Sequence, residues 1–384
     1  MLRYLTAGES HGPAMLAIVE GLPHGLPLSA RDLADELGRR RLGYGRGGRM
    51  KIEGDEPVVL AGVRLGKTLG SPLAVMVSNR DHANWLEIMP VEDVTAPPPL
   101  TVPRPGHADL AGALKYRTGD IRNVLERASA RETVGRVCAG TAARLLLRQF
   151  GIEIISHVTG IGPIDAAMVS VTPADSAAID SSPLRCLDAG SAPRMQELID
   201  DALAAGDSLG GRFEVLAFGV LPGLGSYVQW DRRLDAAIAR SLMSIPAIKA
   251  VSIGDGEKLS YLPGSEAHDA IVPGNAGIKR LTNRAGGIEG GISNGERLVV
   301  RAAMKPIPTL ARGVTSVDIA TGEAGPSLPE RADVCAVPAA AVIAESCLAL
   351  TLTQFLMEKL GGDSLSEMQA RYREWKEWLE RFPH

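Results

Sequence analysis

A short run of arginines interleaved with glycines is the feature of this sequence that most constrains its fold. Glycine lets a backbone approach a ligand closely, and the guanidinium group fits phosphate and carboxylate through paired hydrogen bonds. The whole chain has a formal net charge of −4, so this basic segment stands out against an acidic background. It predicts a loop that binds a small polyanion, and its residues are Arg39, Arg40, Arg41, Gly43, Gly45, Arg46, Gly47, Gly48 and Arg49.

The order of elements around this segment excludes a common nucleotide-binding fold. Residues 43–48 formally match the G-x-G-x-x-G fingerprint, which needs a strand before it and a helix after it. Here a helix precedes the glycines, because Ser29 and Asp32 have the spacing of a helix start and an apolar stripe continues to Arg41. Residues 62–68 resemble a phosphate-binding P-loop but are one residue short between the glycines, and we interpret them as a β-turn.

Composition narrows the class of protein. The 384 residues are 45 % hydrophobic and 22 % charged, and no linker poor in apolar residues or fixed-period repeat divides them. We therefore predict one compact domain over residues 1–384. A pI near 6.0 argues against a protein that binds nucleic acid or a membrane surface, since both need a broad basic face.

Targeting signals and cysteines point to the cytoplasm. The first residues are not typical of a secretory signal, because an acidic residue comes before any long apolar core. The most apolar stretch, 334–357, is interrupted by Glu345 and Gln354, so no membrane span is predicted. Four widely separated cysteines without C-x-x-C spacing indicate free thiols in a reducing compartment.

Local patterns predict a chain that mixes helices and strands. The final helix, about 364–382, has apolar residues at spacings of three and four, which form a seam on a charged rod. This seam suits packing either on its own domain or on a partner subunit. The other predicted elements are β-prone runs at 50–53, 57–65 and 72–77, a proline-rich extended loop at 90–106, a helix at 130–150, strands at 152–161 and 212–221, and a helix before the last one.

Two histidines in glycine-bordered turns are candidates for acid–base chemistry. His11 lies between Ser10 and Gly12, and His107 follows Gly106. A single histidine in a loop is more often structural than catalytic. Together with the arginine run, however, the pair predicts a site where a histidine protonates a departing phosphate and arginines hold its charge.

Two predicted helix starts have both a structural and a functional interpretation. Ser129 and Glu132 have the spacing of a capping box, and the free backbone N–H groups of a helix start also bind anions. Both interpretations can hold together. Asp333 precedes another predicted helix, where aspartate is a common N-cap, and on local grounds we interpret it as a cap.

Seven segments spread over nearly the whole chain carry a stronger signal than any single motif. They are Gly8–Pro23, Gly43–Met50, Arg104–Asp120, Glu126–Thr133, Ser244–Gly256, Asn283–Pro308 and Arg331–Pro338. In this order they resemble the chorismate synthase family. The resemblance implies an α+β fold, a β-α-β sandwich of the chorismate synthase type, assembled as a homotetramer.

The resemblance also implies a reaction. It would be the anti-1,4-elimination of phosphate from 5-enolpyruvylshikimate 3-phosphate to give chorismate, the last common step of aromatic amino-acid biosynthesis in the shikimate pathway. Reduced FMN would be required without net redox change, because the hydrogen at C6 is not acidic enough for a simple base. No flavin-reductase segment is visible, so an external flavin reductase or other reductant, with NADPH as an indirect reductant, is implied.

Residue roles follow from the same resemblance. His11 would assist phosphate departure, His107 would protonate the flavin or its reduced anion, and Asp333 would accept a proton through flavin N5, which replaces the cap interpretation. The substrate's anionic groups would be held by Arg40, Arg46, Arg49 and Arg131, of which Arg40 and Arg46 are also assigned to an NADP phosphate. FMN would be held by Arg127, Ala128, Ser129, Pro246, Ala247, Gly290, Lys305, Pro306, Ile307, Pro308, Thr309 and Arg331, and no metal is implied.

Two other classes of protein fit the sequence less well than this enzyme family does. A catalytically silent anion- or nucleotide-binding module would keep the arginines, but the presence of His11, His107 and Asp333 counts against it. An RNA-binding protein would show a steep salt dependence of affinity, and the acidic balance with only 4 % aromatic residues argues against that class.

Overall fold

Two antiparallel β-sheets lie on either side of a layer of helices in a computed structural model that describes residues 2–48, 52–93, 95, 97–274, 277–327 and 333–382. The strands are β1 (Arg3–Ala7), β2 (Ala14–Glu20), β3 (Pro57–Ala61), β4 (Val63–Arg64), β5 (Lys67–Thr68), β6 (Leu73–Ser78), β7 (Glu153–Ile161), β8 (Ile164–Asp165), β9 (Gly211–Phe218), β10 (Ile248–Ile253), β11 (Ile271–Gly274), β12 (Gly277–Arg280), β13 (Ile288–Glu289), β14 (Ile292–Ser293), β15 (Leu298–Met304), β16 (Thr315–Val317) and β17 (Ala324–Pro326). The helices are α1 (Ala30–Arg41), α2 (Asp109–Tyr116), α3 (Arg122–Ala128), α4 (Thr133–Arg148), α5 (Ser176–Ser181), α6 (Ala192–Ala204), α7 (Leu234–Met243), α8 (Gly264–Ala267), α9 (Val337–Leu360) and α10 (Leu365–Arg381).

The first sheet has four antiparallel strands in the order β1-β2-β6-β3. Strand β2 alternates between its two faces: Met15, Ala17 and Val19 are buried, and Leu16 and Ile18 are exposed. Successive side chains of a strand point to opposite faces, so the buried set packs on the helix layer and the other set faces outward. One face of this sheet is therefore core, and its other face is uncovered within the chain.

The second sheet has five antiparallel strands in the order β10-β15-β9-β7-β8. The helix layer lies between the sheets, because α4 packs on β1 and β2 while α9 packs on β7 and β9. The two helices also pack closely on each other: a Cβ atom added at Gly140 would lie 2.3 Å from Ser346 Cβ, so only glycine allows this approach. The helices and sheets form a single α+β domain with one principal hydrophobic core.

Helix α9 is apolar on all sides because protein surrounds it. It is long and apolar enough to cross a membrane by length and composition, but 83 % of its most apolar window is buried inside the domain. A helix that is hydrophobic all round is buried, either in a protein core or in a membrane. Here the core explains its composition.

Several local predictions agree with the structure. Helix α1 starts after Ser29, whose side chain forms the expected capping box with Asp32, and it ends at Arg41. Residues 62–68 form a tight hairpin from β4 and β5, as the β-turn interpretation requires. Strands β7 and β9 lie where strands were predicted, although β9 ends at Phe218.

Two predictions near the site are wrong. Ser129 and Glu132 do not form a capping box, because Ser129 Oγ accepts from Arg131 N and Glu132 pairs with Arg136. A 3₁₀ turn at 130–132 precedes α4, so the predicted helix 130–150 begins at Thr133 instead. The predicted strand at 50–53 is also absent from its described part, 52–53, where Glu53 turns inward to Arg131.

The apolar seam of α10 packs on its own domain. Met368 is buried in the main core, and Leu365, Tyr372 and Trp375 pack against that core. The Tyr372 hydroxyl donates to the Phe150 carbonyl at 2.8 Å. Of the two packing modes that the sequence left open, the structure therefore uses the one within the chain.

Candidate active site

Neighbouring arginines of the run bind different partners, because successive residues of α1 point in different directions around the helix. Arg39 faces inward and binds Glu345 and Glu36 at 2.7 Å each. Arg40 is also buried but points to the start of α4: its Nε donates to Thr133 Oγ1 at 3.0 Å and its Nη2 donates to the Ala130 carbonyl at 3.1 Å. Arg39 thus binds buried carboxylates of the core, and Arg40 lies against the start of α4, close to the predicted site residue Arg131.

Two buried carboxylates, one buried amide and Arg40 surround Arg131. Arg131 Nη1 binds Asp55 at 2.5 Å, Nη2 binds Glu53 at 3.3 Å, and Nε donates to Asn79 Oδ1 at 2.9 Å. The other oxygen of Asp55 lies 3.6 Å from Arg40 Nη1. Burial lowers the pKa of Arg40 to about 10, and the charges of Arg46 and Arg131 act in the same direction, while Asp55 opposes them. The predicted substrate arginines are therefore packed as a cationic group balanced by protein carboxylates.

Asp333 binds the arginine–glycine loop and caps no helix. Its Oδ1 accepts from Gly47 N at 2.6 Å, and its Oδ2 lies 3.1 Å from Arg46 Nη1. Helix α9 has Ala336 at its N-cap, without a side-chain hydrogen bond, so the local cap interpretation of Asp333 is wrong. The reason is distance along the chain: the partners of Asp333 lie some 286 residues away, where no local pattern reveals them. The predicted site residues Arg49 and Arg331 lie outside the described residues.

His11 is held by a glutamate and a tryptophan. Glu126 accepts from His11 N at 2.8 Å, and its two oxygens lie 2.9 and 3.0 Å from the ring nitrogen Nδ1. The ring stacks on Trp85, with centroids 3.7 Å apart and planes at 22°. Although burial opposes the shift, the contacts with His11 lower the pKa of Glu126, and the charge of Arg122 adds to this effect.

His107 has a similar partner. Its Nδ1 lies 2.5 Å from Asp109 Oδ1, and Arg104 binds the same carboxylate at 2.8 Å. Although burial opposes the shift, hydrogen bonds from His107 and Arg104 hold the pKa of Asp109 well below its ordinary value. Both predicted catalytic histidines therefore contact an ionised, buried carboxylate through Nδ1.

The His11 turn and Arg131 are joined by one side chain. Asn79 Nδ2 donates to Glu9 O at 3.1 Å and to Gly12 O at 2.7 Å, while its Oδ1 accepts from Arg131. A buried amide that satisfies three partners fixes the groups around it, because each lost bond would leave a polar group unpaired. The acid candidate and the anion-binding arginines therefore form one unit.

Some of the predicted flavin residues gather beside His107. Lys305 N donates to the Ala247 carbonyl at 2.9 Å, which places the 246–247 and 305–309 segments next to each other. Lys305 Nζ donates to the Gly106 carbonyl at 2.5 Å, and Thr309 Oγ1 accepts from Arg104 Nη1 at 3.2 Å. Pro246 and the run Pro306, Ile307 and Pro308 belong to these two segments.

The other predicted flavin residues lie in two places. Arg127 donates to the carbonyls of Thr6 and Gly8, and Ser129 Oγ accepts from Ser10 Oγ at 3.1 Å, so 127–129 line the His11 turn. Gly290 lies at the turn of the β13–β14 hairpin. In the described part of the chain, no hydrogen bond links Gly290 to the other predicted flavin residues.

Sequence reasoning missed the groups that hold the predicted residues in place. These are Glu53, Asp55, Asn79, Trp85, Arg104, Asp109 and Glu126. Asp109 had a usable signal, since it stands two residues after His107 in the same turn. Glu126 had none, because 115 residues separate it from His11.

Buried arginines joined by Asn79 to the turn of a carboxylate-bound histidine indicate a class: an enzyme that binds a polyanionic small molecule and moves protons on it. The chorismate synthase family model matches residues 2–357 of the chain. Chorismate synthase of Salinispora tropica is 53 % identical over 379 residues, which cover 96 % of this chain and 97 % of that protein. The protein of that name from Moorella thermoacetica is 53 % identical over 382 residues, which cover 99 % and 100 %.

A solved structure agrees with these matches. A crystal structure of chorismate synthase has a TM-score of 0.80 and 40 % sequence identity, and the match covers 99 % of each chain. The chain belongs to the chorismate synthase family. It is accordingly an enzyme that forms chorismate in the shikimate pathway, and its β-α-β sandwich is the fold of that family.

Proposed function

We propose that the enzyme eliminates phosphate from 5-enolpyruvylshikimate 3-phosphate in an anti-1,4 sense, with reduced FMN and without net redox change. The observation that carries this proposal is the Asn79 bridge, which holds the His11 turn against Arg131. A leaving phosphate needs cations and a proton donor in one place, and this bridge keeps both together.

The bonds that change define what the protein must do. The C3–O bond breaks and phosphate leaves with its electron pair, while the hydrogen at C6 is removed and a second ring double bond forms. His11 is assigned to protonate the departing phosphate from Nε2, because Nδ1 is engaged by Glu126. Arg131 uses three of its five N–H groups on Asn79, Asp55 and Glu53, and the other two are assigned to a substrate anion.

Arg40, Arg46 and Asp333 complete the substrate side. Arg40 and Arg46 add positive charge next to Arg131, which suits a substrate with one phosphate and two carboxylates. Asp333 is assigned to hold the proton released from the substrate, because its carboxylate is oriented by Gly47 N–H and Arg46 and stays one-fifth exposed, at 21 %. Arg49 is assigned to the same anionic groups on the resemblance alone.

The residues beside His107 fit a flavin. A Cβ atom added at Gly106 would lie 3.2 Å from Lys305 Nζ and 3.4 Å from Pro308 Cβ, so the bare backbone lets the His107 turn approach this segment closely. Lys305, beside His107, supplies a cation suited to the FMN phosphate or to an anionic reduced ring. Arg127 lies at the His11 turn and is assigned to FMN on the resemblance alone. When bound, reduced FMN supplies the electron-rich ring that promotes phosphate loss and takes up hydrogen from C6. His107 is assigned to hold a proton at Nε2 facing this group.

We also propose that the enzyme is a cytoplasmic homotetramer that obtains reduced FMN from an external reductase, with NADPH as the indirect reductant. Four buried free cysteines support a reducing compartment. Self-association is supported by apolar side chains on the uncovered face of the four-stranded sheet, Leu5, Leu16, Ile18 and Val58, because large exposed apolar patches mark interfaces.

An anaerobic single-turnover assay tests the proposed reaction. The enzyme is mixed with chemically reduced FMN and 5-enolpyruvylshikimate 3-phosphate, and chorismate and inorganic phosphate are measured together. We expect equal amounts of both products with reduced FMN and none with oxidised FMN. Binding of substrate without either product would support a silent anion-binding module instead.

A further inference from the structure

We propose that Glu126 is a positioning residue that sets the tautomer of His11, so that the ring carries its proton on Nδ1 and presents Nε2 to the substrate. The inference rests on the proposed function of His11. Glu126 has no assigned role in the reaction, and its position on α3 becomes significant only because the fold brings that helix to the His11 turn.

The contacts of Glu126 fasten both the backbone and the ring of His11. Its side chain is 2 % exposed. One oxygen accepts from His11 N at 2.8 Å and also lies 3.0 Å from Nδ1, while the second oxygen lies 2.9 Å from Nδ1. The backbone carbonyl of Glu126 accepts from Ser10 N at 3.0 Å. A single residue therefore binds the turn at two backbone positions and at the ring.

The chemistry of a carboxylate determines which ring nitrogen carries hydrogen. An ionised carboxylate can only accept, so the nitrogen that it contacts must be the N–H nitrogen. The lowered pKa of Glu126 keeps the group ionised at neutral pH. Nε2 is then an acceptor in the neutral ring and a donor in the protonated ring, as a group that delivers a proton to phosphate requires.

Trp85 limits the orientation of the ring. The indole stacks on the imidazole, and its Nε1 donates to Asp81 Oδ2 at 3.1 Å, which fixes the indole in turn. The guanidinium of Arg122 lies 5.3 Å from the indole centroid and 3.4 Å from Glu126 Oε1. With one face covered and Nδ1 bound, Nε2 is the ring nitrogen that makes no hydrogen bond to the described residues, and we assign it to the ligand.

His107 has the same arrangement with a different partner. Asp109 has a fully buried side chain and contacts Nδ1 of His107, while Arg104 binds both Asp109 oxygens. The two histidines assigned to the reaction thus both contact a buried carboxylate through Nδ1, although Arg104 Nη2 also lies 3.2 Å from Nδ1 of His107. One carboxylate is two residues away in sequence, and the other belongs to a separate helix. This recurrence favours a functional interpretation of Glu126 over a role in packing alone.

Replacing Glu126 by glutamine exchanges one acceptor oxygen for an NH₂ donor, with little change of shape. Both carboxylate oxygens of Glu126 lie within 3.0 Å of Nδ1, so a glutamine places an NH₂ donor close to Nδ1 in either orientation of its amide. When the amide oxygen stays on the backbone N–H, its NH₂ group faces Nδ1 and makes that nitrogen an acceptor. The ring proton of neutral His11 then moves to Nε2, and the nitrogen facing the substrate can no longer accept.

Nitrogen NMR of the histidine rings tests this directly. The full-length protein is prepared with ¹⁵N-labelled histidine, and the His11 signals are assigned by their loss in His11→Gln. Above the pH of His11 protonation, we expect Nδ1–H in the wild type and Nε2–H in Glu126→Gln. In the reaction, Glu126→Gln should lower kcat by roughly 10²- to 10⁴-fold and change KM by less than about threefold, because orientation of the acid is lost and substrate contacts are kept.

Glu132→Gln is the matched control. Glu132 is a buried glutamate six residues further on that pairs with Arg136 and does not contact His11. We expect its His11 signals to be those of the wild type and its kcat to fall by less than about threefold. Glu126→Asp keeps the charge but is one methylene shorter, so it should retain more of the Nδ1–H form and of the activity than Glu126→Gln.

Two results would overturn the proposed role of Glu126, and a third would contradict only the proposed function of His11. An Nε2–H tautomer of His11 in the wild type would overturn it, and this measurement needs no variant of Glu126 that folds. A changed tautomer with unchanged kcat would also overturn the positioning role. Full activity of His11→Ala would contradict the proposed function of His11 but would leave the tautomer result as measured, so the two failures are distinguishable.

Discussion

Glu345 of α9 binds Arg39 of α1 through both carboxylate oxygens, at 2.7 and 3.1 Å, and so ties the site's arginine run to the centre of the protein. The carboxylate is fully buried, and it also binds Arg144, Arg185 and the Ser156 hydroxyl. Arg40 follows Arg39 directly. The position of Arg40, a predicted substrate arginine, therefore depends on a core ion network.

We expect Glu345→Gln to lower the free energy of unfolding by about 3–5 kcal/mol, because buried arginines lose their shared anion. Urea unfolding at neutral pH measures this. Glu358→Gln is the control: Glu358 pairs with Arg232, both side chains are more than half exposed, and the loss should be within about 1 kcal/mol. Equal losses in the two variants would contradict a structural role of the network.

Stability should fall in acid because of the buried carboxylates. The pKa values of Glu345, Asp109 and Glu126 are lowered in the folded protein relative to ordinary values of 4.5 for glutamate and 3.8 for aspartate. Their contribution is thus present above the unfolded-state pKa and is lost as pH falls through about 4.5 towards the folded values. Unfolding free energies measured from pH 7 to pH 3 should decrease below about pH 4.5, and Glu345→Gln should show a shallower decrease. A flat profile in the wild type would be inconsistent with these pKa directions.

Arg131→Lys should weaken substrate binding more than flavin binding. A lysine ammonium cannot bind Asn79, Glu53 and Asp55 together and still offer a fork to the substrate. We expect KM for the substrate to rise by roughly 10- to 100-fold, since an unpaired charged hydrogen bond costs about 1.5–3 kcal/mol. FMN affinity, measured by fluorescence titration, should change by less than about threefold. Arg136→Lys, which affects an arginine bound to Glu132 and Ser244, is the control.

The Asp333→Asn variant should bind the substrate normally but turn it over slowly. Asparagine keeps an acceptor for Gly47 N–H, so the loop position is retained, but it cannot hold a proton as a carboxylate does. We expect kcat to fall by roughly 10²- to 10⁴-fold with KM nearly unchanged. Asp200→Asn tests a loop effect separately, because Asp200 binds the Tyr44 hydroxyl of the same loop. Near-normal kcat in Asp333→Asn would remove the residue from the reaction.

Charges on the uncovered sheet face should dissociate the proposed homotetramer. Leu5 and Ile18 lie opposite each other in the register of β1 and β2, and their side chains are 73 % and 46 % exposed. We expect Leu5→Lys with Ile18→Lys to reduce the mass measured by light scattering, with unchanged circular dichroism. Leu65→Lys, at an exposed hairpin turn outside this sheet, should keep the wild-type mass. A monomeric wild type would contradict the homotetramer proposal.

Much of the fold was predictable from neighbouring residues. The capping box at Ser29, the alternation of β2 and the apolar composition of α9 are local patterns, and local patterns report helix starts, strand faces and burial. The seven motifs by themselves also identify the family. Arg39, Arg40 and Arg41, however, look equivalent in sequence.

Contacts between distant residues decided the rest. Ser129 and Glu132 have the spacing of a capping box. Glu132 forms an ion pair with Arg136 instead, and a 3₁₀ turn stands where the helix start was predicted. Asp333 has the sequence position of an N-cap, but its carboxylate accepts a hydrogen bond from Gly47 N in the arginine–glycine loop.

The sequence by itself determined the start of α1, the positions of β7 and β9, the single α+β domain and the family. Only the tertiary structure decided which partners each arginine binds, which carboxylate holds each histidine and what Asp333 binds. The physical reason is that hydrogen bonds and ion pairs depend on separation in space, over about 3 Å, and not on separation along the chain. Partners such as His11 and Glu126, 115 residues apart, meet only because the fold brings α3 to the His11 turn.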